Sequence, residues 1–348
     1  MRRFVLSAFV LGVFCQCLVF QARAYIDIAL QMQLGNPTGA IVDTNNHDHY
    51  LLQRAVEALD YNDNRGLPNW TSWDLTTNDL GTASRTGSFF DDTNLPANFY
   101  HVKDADYTYS GYNRGHMCPS ADRTITTNDN RMVFFMSDII PQTPDNNQGP
   151  WARLETYCRA LTPTNELLII CGPRTFSGAR INTNGPVLIP DYVWKIIVVV
   201  PSGEGPALSR ITTATRVIAV DMPNIQGIRS VNWTNYLTSV NALQTNTGFT
   251  FFTALPAGVA NVLRAKIDGV SIQPTTPPGF QSIAWDAGQI SLVVTGAVAT
   301  HYTITATTDL NSPQWDTVLS TNYPALPFTF VETNAGWPRR FYRVQTGP

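Results

Sequence analysis

The sequence predicts an α+β domain followed by a small all-β sandwich domain, and three observations carry this. Apolar runs of strand length (NWTSWDL, LLIICGP, VWKIIVVVP) are mixed with helical periodicities before residue 270. A Pro- and Thr-rich stretch, VSIQPTTPPG, then interrupts the chain as a linker would. Beyond it, SIAWDAGQISLVV, HYTITATT, FTFVET and RFYRV alternate with period two between Asp, Asn, Gly and Pro breaks, which reads as antiparallel strands. The 348 residues exceed one ordinary domain of about 100–200. A hydrophobic fraction of 43% excludes wholesale disorder. The predicted division is a leader at 1–24, a main domain at 25–269, a linker at 270–279 and an accessory domain at 280–348.

The leader comes first. A basic start (Arg2, Arg3) precedes an apolar run from Phe4 to Phe20, then small residues around Arg23 as a cleavage site requires. This reads as a secretory signal peptide, too short to be a comfortable membrane span. The expected location is secreted, periplasmic or at the cell surface, with no later membrane-spanning stretch. Removing Cys15 and Cys17 with the leader leaves Cys118, Cys158 and Cys171. In an oxidising compartment that count allows one disulfide and one free thiol, with the pairing open. Cys171, inside an apolar run, reads as a buried thiol.

Next, Leu51, Leu52, Ala55, Val56 and Leu59 share one face of a predicted helix. Residues 69–75 and 132–140 read as strands. Trp151, Leu154, Cys158 and Leu161 recur at steps of three or four, so 153–161 reads as a helix, with Pro150 at its first position and Gly149 as its cap. The runs at 167–173 and 193–201 read as buried strands. His47 and His49 lack an evident third ligand and read as surface loop. His301 stands alone in the accessory domain. Asn69 and Asn232 match a glycosylation pattern that means little without the right host. Asp122 and Arg123 are expected to pair locally.

Two segments carry chemistry. GYNRGHMCPSADR (111–123) places Arg114 and His116 around Gly115, whose missing side chain lets a ligand approach the backbone. His116 is the side chain suited to taking a proton near neutral pH. SDIIPQTPDNNQGPWARLETYCR (137–159) places Glu155 and Arg159 four apart on the predicted helix, with Asn147 just before it. Singly, these read as a structural His, an exposed ion pair and a loop amide.

Together, the order NRGHM-x-P and then NQ-x-x-W-x-x-LE-x-x-x-R resembles the DNA/RNA non-specific endonucleases of the ββα-metal fold. YNDNRGLPNWTSWDL and ASRTGSFFDD upstream, and TGFTFFTALPAGVANVLRAK downstream, extend the resemblance to about two-thirds of the chain. It implies a central antiparallel sheet and hydrolysis of DNA and RNA with little sequence specificity, leaving 5′ phosphates. It further implies His116 as general base and Asn147 as the single protein ligand of magnesium, with manganese as the alternative. Glu155 would hold a water on that ion, and Arg85, Arg114 and Arg159 would grip phosphate. Two positions depart from the family. Asn113 replaces the acid of DRGH and is expected to orient a neighbour less strongly. Asp138 replaces an Asn and is expected to alter metal hydration or repel phosphate.

Two rival readings follow from those departures and the added domain: a catalytically weakened nucleic-acid or surface-binding protein, and a metal phosphodiesterase acting on small esters. The tail resembles those of exported bacterial proteins and implies a binding or retention module, whose ligand the sequence does not name, nor does it give the oligomeric state. Removing the leader's arginines leaves 20 basic against 26 acidic residues, a balance of −6. That excess of acid argues against a basic nucleic-acid-binding exterior, so substrate would be held locally by arginines and a cation, with a shallow salt dependence.

Overall fold

The computed structural model describes residues 30–182, 185–269, 278–286, 288–296, 301–311, 313–322, 326–333 and 337–347. The predicted leader and nearly all of the predicted linker lie outside them. Among the described residues no helix is long and apolar enough to cross a membrane.

The main domain is built on a seven-stranded antiparallel sheet, formed by β1 (Tyr50–Gln53), β2 (Ala58–Asn62), β3 (Leu67–Leu75), β6 (Asn165–Arg174), β7 (Tyr192–Pro201), β8 (Arg216–Pro223) and β9 (Leu237–Thr238) in that spatial order. A separate two-stranded ladder pairs β4 (Asn113–His116) with β5 (Ile139–Gln142), in the register Asn113↔Gln142 to His116↔Ile139. Helix α1 (Thr127–Met132) lies between those strands in the chain, and α2 (Ala152–Leu161) follows them, completing a ββα unit. Helices α3 (Val240–Thr247) and α4 (Ala257–Ala265) come later. β6 and β7 pair over ten residues, from Asn165↔Pro201 to Arg174↔Tyr192, and are buried along nearly their whole length. That is why their sequences run apolar without alternation. Helix α2 presses Leu154 and Cys158 into a core shared with Trp73, Ile169, Ile197 and Trp151.

Several predicted elements change. The expected helix at 51–59 is instead a hairpin of β1 and β2, closed where the Arg54 amide donates to the Glu57 carbonyl at 2.8 Å. Leu51, Leu52, Ala55, Val56 and Leu59 fall at helical spacing although they divide between β1, the turn after it and β2. The expected strand at 132–140 is a helix end, a 3-10 turn at Met136–Asp138 and only then β5. Gly149 is no helix cap. It lies inside a wide turn, Asn147–Trp151, with φ −106° and ψ −117°, and a Cβ there would sit 2.8 Å from the Arg229 backbone. The wide turn also accommodates Pro150, which has no amide to donate.

The described chain clusters into two compact units, one running to Arg210 with Val217–Ala254, the other holding Ile211–Arg216 and Leu255 onward. The second unit therefore includes α4 as well as two three-stranded sheets. One sheet is β10 (Gly279–Asp286), β11 (Gln289–Thr295) and β14 (Phe328–Thr333). The other is β13 (Asp316–Asn322), β12 (His301–Thr307) and β15 (Phe341–Gly347). Ile290, Leu292 and Val294 of the first meet Tyr302 and Ile304 of the second in one core, the sandwich arrangement expected of the alternation.

The one disulfide that the count allowed is not formed: Cys118, Cys158 and Cys171 are all free and buried in the main core. Cys118 follows β4, Cys158 lies on α2 and Cys171 on β6, each as a small apolar side chain, Cys171 with its thiol 3.5 Å from the Met117 carbonyl. Burial pushes the Cys158 thiol up to about 12. The folded leaderless protein is expected to show no reaction with a thiol reagent such as DTNB, and three reactive thiols in denaturant without reductant. Fewer than three would indicate a disulfide.

Candidate active site

Strand β4 carries the NRGH segment. Side chains alternate across a strand, so Arg114 and His116 share one face and Asn113 and Gly115 the other. Gly115 is required by packing rather than by a ligand. A Cβ there would lie 2.2 Å from the Gln142 side chain across the ladder.

His116 is 9% exposed and lies between two phenylalanines, its ring centroid 5.3 Å from Phe89 and 4.6 Å from Phe134. Burial, with the Arg85 charge nearby, lowers its pKa to about 3. The imidazole is thus neutral near pH 7, and its buried Nε2 has no hydrogen-bond partner. A neutral ring with an unused nitrogen can accept a proton, and so low a pKa makes it a weak base until an anionic phosphate beside it raises that value.

The predicted arginines surround these rings unequally. Arg85 lies over Phe134 at 4.8 Å, and its charge acts on both His116 and Glu155. Arg114 lies 5.6 Å from the Phe89 ring, but pairs with the Asp104 carboxylate and donates to the Asp104 carbonyl at 2.7 Å. Arg159 donates to Asp122 Oδ1 at 2.9 Å. Asp122 in turn accepts from the Trp73 indole at 3.1 Å. The expected local pairing of Asp122 with Arg123 is made through the main chain, Arg123 Nη1 donating to the Asp122 carbonyl at 3.1 Å. Arg123 also donates to the main-chain carbonyls of Val56 and Asp74.

Asn147 ends the turn after β5. Its amide nitrogen donates to Asn113 Oδ1 at 3.1 Å, and the same oxygen accepts from Gln148 at 2.9 Å. The Asn147 carbonyl oxygen consequently points away from that bond. The turn is fixed from below. Buried Asn224 accepts from the Thr143 amide at 2.7 Å and donates to the Pro141 and Pro190 carbonyls, both at 2.9 Å. Asn113 thus orients Asn147 using an acceptor oxygen, which an aspartate also has. Asp138 is not at the site at all. It is fully buried and accepts from Thr71 Oγ1 and the Cys118 amide, each at 3.0 Å, tying β3 to the residues after His116. Burial, together with the Glu57 charge, raises its pKa well above the carboxylate range, and it faces no phosphate.

Glu155 lies one turn before Arg159 on α2. Burial raises its pKa to about 7, against the lowering charges of Lys195, Arg159 and Arg85. Lys195 was not among the predicted residues. It is 1% exposed on β7, with its ammonium 3.9 Å from Glu155 Oε1. A lone lysine inside VWKIIVVVP was the available signal. Phe89 and Phe134 were also passed over, because aromatic side chains in a sequence are most often core.

Elsewhere, His47 and His49 pair with the carboxylates of Asp63 and Asp60 at 2.5 and 2.8 Å. Among the described residues no three His, Cys, Asp or Glu side chains gather as a metal cluster. Asn69 is buried and donates to the Asp48 carbonyl at 2.7 Å, so its glycosylation pattern is closed in the fold.

The profile of the DNA/RNA non-specific endonuclease family matches residues 35–258. A nuclease of Nostoc sp. is 41% identical over 242 residues, covering 69% of this chain and 87% of that protein. The mitochondrial nuclease EXOG of Homo sapiens is 31% identical over 153 residues, 40% of this chain and 41% of its own length. In a solved structure of the EndoG/EndoGI complex, one chain superposes with a TM-score of 0.56 at 20% identity, covering 68% of this chain and 95% of that one, which shows the shared fold. A match over that much of the main domain, on the residues just described, places this chain in the DNA/RNA non-specific endonuclease family, as a nuclease.

Proposed function

We propose that this nuclease is an exported, divalent-cation-dependent endonuclease that cuts DNA and RNA with little sequence preference, leaving 5′ phosphates. The observation that carries the reading is the neutral, buried His116, whose Nε2 has no hydrogen-bond partner, beside Arg85. His116 takes a proton from the attacking water, whose oxygen bonds to phosphorus as the bond to the 3′ oxygen breaks. Arg85, without a carboxylate in contact, is the cation best placed to bind a non-bridging oxygen. Arg114 and Arg159 are held in position by Asp104 and Asp122 and add to that field.

The donor set suits a hard cation that keeps most of its water, magnesium or manganese. It offers one amide oxygen, from Asn147, and the Glu155 carboxylate, whose ion pair with Lys195 spans 3.9 Å. When bound, such an ion offsets charge on the phosphate and the leaving oxygen. Chemistry confined to the phosphate carries no direct base information, which accounts for low specificity.

Digestion of plasmid DNA and of RNA, with and without EDTA, tests this reading. Cation-dependent cleavage of both polymers is expected. Binding without cleavage would favour a weakened binding protein, and hydrolysis of small diesters alone would favour a phosphodiesterase. A finer expectation concerns Asn113. Asn113→Asp is expected to retain activity, because the oxygen that orients Asn147 persists. Asn113→Ala is expected to lose about 10–100-fold, as for outer partners of metal ligands. Equal plasmid cleavage by Asn113→Ala and wild type would show that Asn147 needs no such support.

A further inference from the structure

Lys195 is a buried cation for which the mechanism above has no use. Its ammonium lies 4.2 Å from the Trp151 ring centroid and 5.2 Å from that of Trp73. Both rings are fully buried, and each is anchored elsewhere. Trp73 is tied by its indole nitrogen to Asp122, and Trp151 belongs to the turn between Asn147 and α2. Lys195 itself is set by the β6–β7 ladder, opposite Cys171. Its position is therefore fixed by sheet register and by two aromatic faces rather than by a flexible stem. The carboxylate in reach is Glu155, 3.9 Å away, beyond hydrogen-bond distance but close enough for direct charge attraction in a dry core. Burying a charged amine in an apolar strand is costly, and an aliphatic side chain would fit the surrounding core at less cost.

We propose that Lys195 is a positioning residue. Its ammonium, seated between Trp73 and Trp151, is the fixed counter-charge that keeps the Glu155 carboxylate placed for divalent-cation binding. The inference rests on the cation-dependent reading of the site. Arg159 and Arg85 also act on Glu155, but both are more exposed than Lys195. Lys195 approaches from the core side, so a bound phosphate does not compete for it.

The test measures manganese binding to the full leaderless protein, through the loss of the free-ion electron paramagnetic resonance signal, alongside thermal unfolding without metal. Lys195→Met, which keeps length and volume, is expected to weaken manganese binding about tenfold while leaving the metal-free melting temperature unchanged or higher. Lys195→Arg, with a guanidinium suited to stacking on indoles, is expected to restore most of the affinity. In a Glu155→Gln background, Lys195→Met is expected to have no further effect. Wild-type affinity in a folded Lys195→Met protein would overturn the inference, as would an equal loss in the Glu155→Gln background. Should Lys195→Met not fold, Lys195→Arg carries the decision: near-wild-type affinity that falls with Glu155→Gln supports the role, and a loss unrelated to Glu155 overturns it. Failure of wild-type protein to bind manganese at all would instead overturn the cation-dependent reading.

Discussion

His116→Ala protein is expected to cleave plasmid DNA about 10²–10⁴-fold more slowly than wild type, the range supplied by a positioned general base. Manganese binding should be retained, because the residues that suit a cation lie on the β5–α2 segment. Cleavage at the wild-type rate would remove His116 from the mechanism. The pH profile sharpens the point. Burial and Arg85 lower the His116 pKa to about 3, so the ring is already unprotonated across the neutral range. The acid limb of activity should therefore not report the histidine.

Glu155, raised to about 7 by burial, is the group whose charge changes there, becoming a carboxylate as pH rises through that value. A cation favours the carboxylate, so increasing its concentration should move the acid limb to lower pH. An acid limb that stays fixed from low to high cation concentration would point to a different group.

Arg123→Ala is expected to have the largest effect on stability, about 3–5 kcal/mol, as when one partner of a buried charged network is removed. Arg123 is 2% exposed. Its Nε and Nη2 donate to the Val56 carbonyl at 2.9 and 2.7 Å, and Nη2 donates to the Asp74 carbonyl at 2.7 Å. Asp79 lies 3.2 Å from Nη1. One guanidinium thus satisfies carbonyls from the β1–β2 turn and from β3, and truncation would leave them buried without donors. For a domain of this size the loss corresponds to a fall in melting temperature of about 10 °C or more. A shift under about 3 °C in a scan of purified Arg123→Ala protein would show that water replaces the guanidinium as donor to those carbonyls.

Much of the site was legible in the sequence because its spacing is local. Glu155 and Arg159 share a helix face by periodicity and Arg114 and His116 a strand face, although Arg159 bonds Asp122 and Arg114 bonds Asp104. The buried strands at 167–173 and 193–201 were legible from apolar length. The hairpin at 50–62 was not, because Leu51, Leu52, Ala55, Val56 and Leu59 also fall at helical spacing, and strands of four and five residues are too short to outweigh it. Counting allowed one disulfide, but counting cannot say that three thiols sit free and buried in one core.

The sequence by itself determined the two-domain plan, the nuclease family and the order of the chemical residues along the chain. Tertiary structure decided which of them act on one another. Asn113 reaches Asn147 across 34 residues, Arg159 reaches Asp122 across 37, and Lys195 reaches Glu155 from a central strand. It also moved Asp138 from the phosphate to the core and gave His116 its neutral state. The physical reason is that charge, orientation and solvent exposure are set by neighbours distant in sequence. Residue type fixes only what a side chain is able to do; burial and partners fix which of those things it does.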